Sequence, residues 1–132
     1  MAKKKIICDT DVIIDYWKAA NPRHLRTKEV IAKIGLENVA ISVIAELELL
    51  KGAINKTDQN KIIKNLESLS SLNINDAITV RTIGLIHSYS LSHNLEFPDA
   101  FIAATAIETD FELYTYNTND YKFIPGLILF KP

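Results

Sequence analysis

One cysteine, Cys8, stands among 132 residues. A lone thiol closes no intrachain disulfide and builds no cysteine-type zinc cluster. A chain without disulfides fits a reducing compartment, so a cytoplasmic protein is expected. Cys8 ends an apolar run and reads as a buried core thiol, with no base near it in sequence. Long apolar runs are also missing. None approaches the roughly 20 residues that cross a bilayer, so no membrane role is expected. The positive opening, Met1 to Lys5, is followed at once by Asp9 and Asp11, which excludes a signal peptide. There is no Gly-rich phosphate loop, no dinucleotide fingerprint and no nucleophile elbow. His24, His87 and His93 lack metal-ligand spacing and read as surface or satisfied core residues. An excess of one charge is absent too, with 15 basic against 16 acidic residues and a net charge of -1. That argues against a basic coat for nucleic acid, though a local basic patch can coexist with an acidic site.

What the chain does have is apolar content, 48% against 23% charged, which is too much for disorder. Its length fits one compact domain, residues 1–132, without repeats or linkers. A short apolar run at 6–8 reads as a buried strand that stops at Asp9. Helical spacing follows at 12–17, with Asp11 or Thr10 to cap it, and at 27–35, after a break at Asn21-Pro22. A second strand is predicted at 39–42, a helix at 44–52 and an amphipathic helix at 58–69. A third strand at 72–74 precedes a helix at 76–91 with Ala77, Val80 and Gly84 on one side. An alanine-rich helix at 98–108 starts with Pro98, whose missing N–H has no partner in a first turn anyway. Strands four and five are predicted at 112–115 and, after a Pro125-Gly126 turn, at 127–130. Short strands alternating with helices predict an α/β three-layer sandwich with a mainly parallel five-stranded sheet.

In open parallel sheets, ligands bind beyond the carboxyl ends of the strands. Asp9 directly follows the first strand. Glu46 and Glu48 lie in the helix after the second, and residues two apart do not share a helix face. Periodicity alone barely separates the two. Asp99 lies on the stripe of Ile102, Ala103 and Ala106, where a lone carboxylate costs several kcal/mol in order of magnitude unless paired. A helix cap is the plainer role for Asp9 and for Asp99. Asn117, Asn119 and Asp120 cluster after the fourth strand, as a turn or as ligands. Carboxylates gathered on one edge repel one another, and a hard divalent cation relieves this. Oxygen donors favour Mg2+, with Mn2+ also possible, over zinc.

At these residues the chain resembles the PIN-domain family, specifically the VapC-type toxins of bacterial toxin–antitoxin pairs. The segment from Cys8 to Asp15 is similar to the family's opening Asp-Thr-Asn/Asp block, with Asp9 as its acid. The segment from Ile41 to Gly52 resembles a strand-to-helix block ending Glu-Leu-two residues-Gly, a spacing that selects Glu48 over Glu46. The segment from Pro98 to Ala104 resembles a third block, with Asp99 as its acid. A last block runs from Thr115 to Tyr121 and on through Ile124-Pro125-Gly126-Leu127. Here Tyr116 stands where arginine is common, which removes a phosphate contact, and Tyr121 stands where phenylalanine is common. Asn117 and Asp120 both remain candidates for the fourth site position.

The resemblance implies a PIN-like fold with five parallel strands, a homodimer, and a small antitoxin that wraps the site. It implies a divalent-metal-dependent endoribonuclease that hydrolyses RNA phosphodiesters and leaves 5′-phosphate and 3′-hydroxyl ends. Asp9, Glu48 and Asp99 would hold one or two metal ions, which acidify and orient a water. Thr115, and less directly Ser42, would orient a carboxylate. Lys51 and Arg81 are possible backbone contacts or plain surface residues. The rival readings are a PIN ribonuclease of RNA maturation without an antitoxin and a PIN-fold binding module without catalysis. A receiver-like phosphoacceptor domain is a third, but the chain has no Asp at the end of its third strand.

Overall fold

The computed structural model describes residues 4–132. The first three residues of the lysine-rich opening, read above as no signal peptide, lie outside the described residues. Four strands are formed: β1 (Ile6–Cys8), β2 (Val39–Ser42), β3 (Ser70–Leu72) and β4 (Glu112–Tyr114). They pair in the order β3-β2-β1-β4, and every pairing is parallel. Ile6 stands opposite Val39 on one side and Glu112 on the other. Every residue of β1 and β2 is buried, although successive side chains point to opposite faces. Both faces of the sheet centre are therefore covered, which is why these strands are apolar without alternation.

The connections supply the cover. Between β1 and β2 run α1 (Thr10–Trp17), α2 (His24–Ile34) and a single 3-10 turn at Leu36–Asn38. Between β2 and β3 run α3 (Val43–Lys51) and α4 (Lys56–Leu66), and between β3 and β4 run α5 (Asp76–His93) and α6 (Phe97–Thr109). Right-handed crossovers send the last pair to the opposite face, because β4 returns past β2 to the far side of β1. The helix α6 is buried along Ala100, Ile102, Ala103, Ala104, Thr105 and Ala106. Its alanines let it lie close to the sheet and to α5, against which it packs extensively.

The five-stranded sheet predicted from sequence is not formed. The segment 127–130 makes one isolated bridge, Leu113 to Leu129, through Leu113 N–H to Ile128 O (2.9 Å) and Phe130 N–H to Leu113 O (2.8 Å). The reason lies in β4. Of its three residues, Glu112 and Tyr114 turn their bonding groups to the β1 side, to Lys5 O and Asp9 N–H. Only Leu113 faces outward, and one residue cannot carry a ladder. The Pro125-Gly126 turn itself forms, with Gly126 at φ +82°, a backbone region that glycine adopts freely.

Other boundaries also shift. The third strand lies at Ser70–Leu72, not 72–74, and its two serines are exposed, as suits an edge strand. Of the cap candidates, Asp9 rather than Asp11 or Thr10 caps α1, with its carboxylate accepting from Thr10 N–H at 2.8 Å. The buried side of α5 is Ile78, Thr82 and Leu85, while Val80 on the Ala77–Gly84 side is 70% exposed. This inverts a purely compositional view of that helix and sets a test. Ile7→Ala, at a fully buried site, is expected to cost about 2–5 kcal/mol. Val80→Ala is expected to stay within about 0.5 kcal/mol of wild type. Urea unfolding of the two variants checks both; equal losses would contradict this packing.

Candidate functional site

The strand order turns back between β1 and β4, so the crevice beyond their carboxyl ends is the switch point where parallel sheets take ligands. Asp9 stands there. Its backbone N–H is bonded to Tyr114 O at 2.9 Å, which extends the β1–β4 pairing to the aspartate itself. One carboxylate oxygen accepts from Thr10 N–H, and the other accepts from the Thr115 hydroxyl at 2.8 Å. Asp9 is 6% exposed, and burial pushes its carboxyl up despite those bonds. The cap role and the site position thus fall on one residue. Thr115, just beyond β4, thus holds a carboxylate at the end of the neighbouring strand.

Asp99 enters from the first turn of α6 and caps nothing; no side chain caps that helix. Its carboxylate accepts from the Tyr121 hydroxyl at 3.1 Å. Burial first, and then the charge of Asp9, raise its carboxyl to about 6 despite Tyr121; Asp120 and Glu48 add to the rise. Glu48 accepts from the Thr10 hydroxyl at 2.9 Å, which brings α3 to the start of α1. Glu46 turns away and accepts from Ser71 on the edge strand at 3.3 Å. Asp120 is exposed in the 3-10 turn Thr118–Asp120, and its charge raises both Asp9 and Asp99. A polar recess of about 290 Å3 opens beside Asp99 and Asp120, with His93 and Glu96 on its walls.

Two residues carry more than their sequence context announced. Asp11, read above as a helix cap, is half-buried and lies in the first turn of α1. One of its oxygens accepts from Tyr116 N–H (3.1 Å) and the Asn117 side-chain amide (3.2 Å), while the other is buried without a partner among the described residues. Burial and then Asp9 raise its carboxyl to about 6. The sequence signal was a second acid two residues after Asp9, at the third position of the Asp-Thr-Asn/Asp block. Tyr121 is 1% exposed, and burial together with Asp9 and Asp99 pushes its hydroxyl far up, so it stays a proton donor at working pH. No pattern of spacing pointed to it; a phenylalanine would fill the same space without the bond.

Several expectations find other partners. The Ser42 hydroxyl accepts from Ile44 N–H at 3.1 Å and caps α3, and among the described residues it forms no bond to a carboxylate. Arg81 is bonded to Glu108 at 2.6 Å on the α5–α6 face, and Lys51 is exposed at the end of α3. Asn119 is exposed in the same turn as Asp120. Cys8 is buried, and burial pushes its thiol up, out of reach of ionisation. His24 pairs through Nδ1 with Asp15 O (2.9 Å), and His93 stacks on Phe123 (4.2 Å between centroids).

The chemistry of the donors fits a hard divalent cation. They are all carboxylates, their charges raise one another, and one buried oxygen of Asp11 is orphaned. Among the described residues, however, no three acidic, histidine or cysteine side chains already stand close enough to grip an ion together.

Comparison with known proteins places this geometry. The PIN domain family model matches residues 6–124. The chain belongs to the PIN-domain family. Within it, the likeness runs to toxins of the VapC kind. Ribonuclease VapC1 of Methanocaldococcus jannaschii is 27% identical over 122 residues, covering 91% of this chain and 81% of the relative. A toxin–antitoxin complex from Klebsiella pneumoniae contains a chain 30% identical, with TM-score 0.75 and coverage of 94% of this chain and 96% of that one. FitAcB from Neisseria gonorrhoeae has the same fold at 24% identity and TM-score 0.75, covering 96% and 97% of the two chains.

The raised carboxyls fix the sign of a pH effect. Asp99 titrates near 6 when folded, above the unfolded value of about 3.9. Its ionisation therefore opposes folding above pH 6, and the penalty fades as pH falls to about 4. Asp99→Asn is expected to stabilise the metal-free protein at pH 7 by about 1 kcal/mol, discounted for partial exposure, and by nothing at pH 4. Tyr121→Phe should act in the opposite direction, costing about 1 kcal/mol by stripping Asp99 of its donor. Thermal unfolding in EDTA at both pH values reads the two variants; a D99N protein less stable than wild type at pH 7 would contradict the repulsion.

Proposed function

We propose that the chain is a divalent-metal-dependent endoribonuclease, the toxin half of a toxin–antitoxin pair. The observation that carries the reading is the gathering of mutually repelling carboxylates at the β1–β4 switch point of a PIN fold. The Methanocaldococcus relative, a ribonuclease, and the Klebsiella toxin–antitoxin complex support the substrate and the partner class. In this reading Asp9, Glu48 and Asp99 hold Mg2+ or Mn2+, and the orphan oxygen of Asp11 is a further donor. The bound ion supplies acidification of a water and neutralisation of charge on the phosphoryl group.

The chain's own groups do the positioning. Thr115 and Thr10 N–H fix the two oxygens of Asp9, and Tyr121 fixes one of Asp99. Glu48, exposed and bonded only to the Thr10 hydroxyl among the described residues, is free to swing toward an ion. Of the two candidates for the fourth position, Asn117 is committed to Asp11, while Asp120 is exposed and acts on Asp9 and Asp99. Asp120 is therefore the fourth acid, and Asn117 positions Asp11.

The partner surfaces follow the same logic. An antitoxin segment would cover the groove of about 220 Å3 that runs from Glu48 to Trp17 and Ile62. Trp17 and Tyr16, which look exposed in sequence, are half-buried against the core. Exposed apolar side chains occur on several elements, among them Leu25, Ile54 and Phe97, and three of them, Val80, Ile83 and Leu91, lie on α5. That stripe supports a homodimer. No helix among the described residues is long and apolar enough to cross a membrane.

Cleavage of total RNA in Mg2+ tests the reading. Glu48→Gln is expected to lose at least about 100-fold in rate, the upper end of what even an outer partner of a metal ligand costs. Glu46→Gln should keep near wild-type rate, since it bonds only the edge strand. The reverse pattern would refute the assignment. Light scattering should show a dimer at micromolar concentration; a monomer throughout would rule out the α5 contact.

A further inference from the structure

A phosphate approaching Asp9, Asp11, Glu48, Asp99 and Asp120 meets five negative groups, and a cation must stand beside them to hold an RNA backbone. The chain has three arginines. Arg81 is taken by Glu108. Arg26 faces Glu29 at 3.8 Å and lines a different cavity, with Lys4, Ile6 and Lys33, at the amino end of β1. Arg23 is placed otherwise. It lies just before α2, and its charge lowers the Asp11 carboxyl.

Its surroundings form a mount. Arg23 Nε donates to Asp15 Oδ2 at 2.7 Å, and Asp15 is 6% exposed. Asn21 donates to the other Asp15 oxygen at 2.8 Å. The guanidinium carbon lies 3.9 Å from the centroid of the Tyr116 ring. Tyr116 in turn is fixed at both ends: its N–H bonds Asp11 (3.1 Å), and its hydroxyl bonds Tyr114 (2.9 Å) and Thr27. A clamp that served only to pin the loop would spend its donors within the fold. Arg23 spends Nε and one face. Its two terminal NH2 groups bond nothing among the described residues, and the side chain is 52% exposed. A planar fork held rigid with two free NH2 groups suits a phosphate.

Resting on the ribonuclease reading, we propose that Arg23, mounted on Tyr116 and Asp15, grips a backbone phosphate of the RNA next to the acidic site. Tyr116 thereby becomes the platform that holds the Arg23 guanidinium.

The test is binding of a fluorescent single-stranded oligoribonucleotide, followed by anisotropy in EDTA across a sodium chloride series. Each phosphate contact to a single strand contributes about 0.7 to the slope of log K against log salt. Arg23→Gln should bind more weakly, with a slope shallower by about 0.7, and Arg23→Lys should keep the slope. In the Mg2+ cleavage assay Arg23→Lys should raise KM several-fold more than it lowers kcat, because an ammonium neither stacks on Tyr116 nor forks. Thermal unfolding checks that each variant is folded, and where Arg23→Gln is not, the KM of Arg23→Lys decides. Wild type that neither binds RNA in EDTA nor cleaves it in Mg2+ overturns the ribonuclease reading and this inference with it, and where wild type cleaves without binding in EDTA, the KM of Arg23→Lys decides. Wild type that binds RNA, with a folded Arg23→Gln of equal affinity and slope, or an Arg23→Lys of unchanged KM, overturns the Arg23 assignment alone.

Discussion

The hydrogen bond from Thr115 to Asp9 joins two strands that are far apart in sequence and neighbours in the sheet. Everything at the site depends on it. It fixes one oxygen of a carboxylate that burial would otherwise push toward its neutral form. It also ties the end of β4 to the end of β1, where the strand order turns back. Once Asp9 is held there, its charge raises Asp11 two residues on and Asp99 from the opposite helix. The fold thus concentrates charge it does not neutralise. Such a cluster is a standing cost to stability, tolerated at sites where a ligand supplies the missing charge.

The helices divide the labour around this point. The alanine-rich α6 lies deep, so Asp99 in its first turn reaches the sheet edge rather than solvent. Glu48, in the middle of α3, is exposed and accepts from the Thr10 hydroxyl. More buried acids from the strand end and from α6 therefore face an exposed one from α3. The carboxylates act on one another, yet among the described residues no three of them already form a closed cage. In the proposed function a phosphodiester would meet the same crowd of charge, and an ion together with Arg23 would answer it from two sides.

Much of this was legible in the sequence, and the failures have physical causes. The strands at 6–8 and 39–42 were readable because both faces are buried, so every residue is apolar. Helix α6 was readable from Pro98 and the alanine stripe. Asp9, Glu48 and Asp99 stood out as acids beside apolar runs, and the PIN resemblance separated Glu48 from Glu46. The fifth strand failed because pairing depends on the partner. Residues 127–130 look like a strand, yet β4 offers only Leu113 to bond. Asp11 and Tyr121 failed for a different reason. A buried oxygen without a partner, or a hydroxyl aimed at a carboxylate, is a property of three-dimensional neighbours. The Asp15–Arg23–Tyr116 mount spans just over a hundred positions of chain and leaves no local pattern.

The central claim is that the carboxylates repel one another until a cation joins them. Carbon-detected NMR titration of the aspartate carboxyls, without and with Mg2+, measures it residue by residue. Asp11 and Asp99 are expected to titrate near 6 in EDTA. Both should fall well below that value in saturating Mg2+, since an ion bound to the charged form favours it. Midpoints near the ordinary 3.9 of an aspartate, unchanged by Mg2+, would contradict both the repulsion and the metal site.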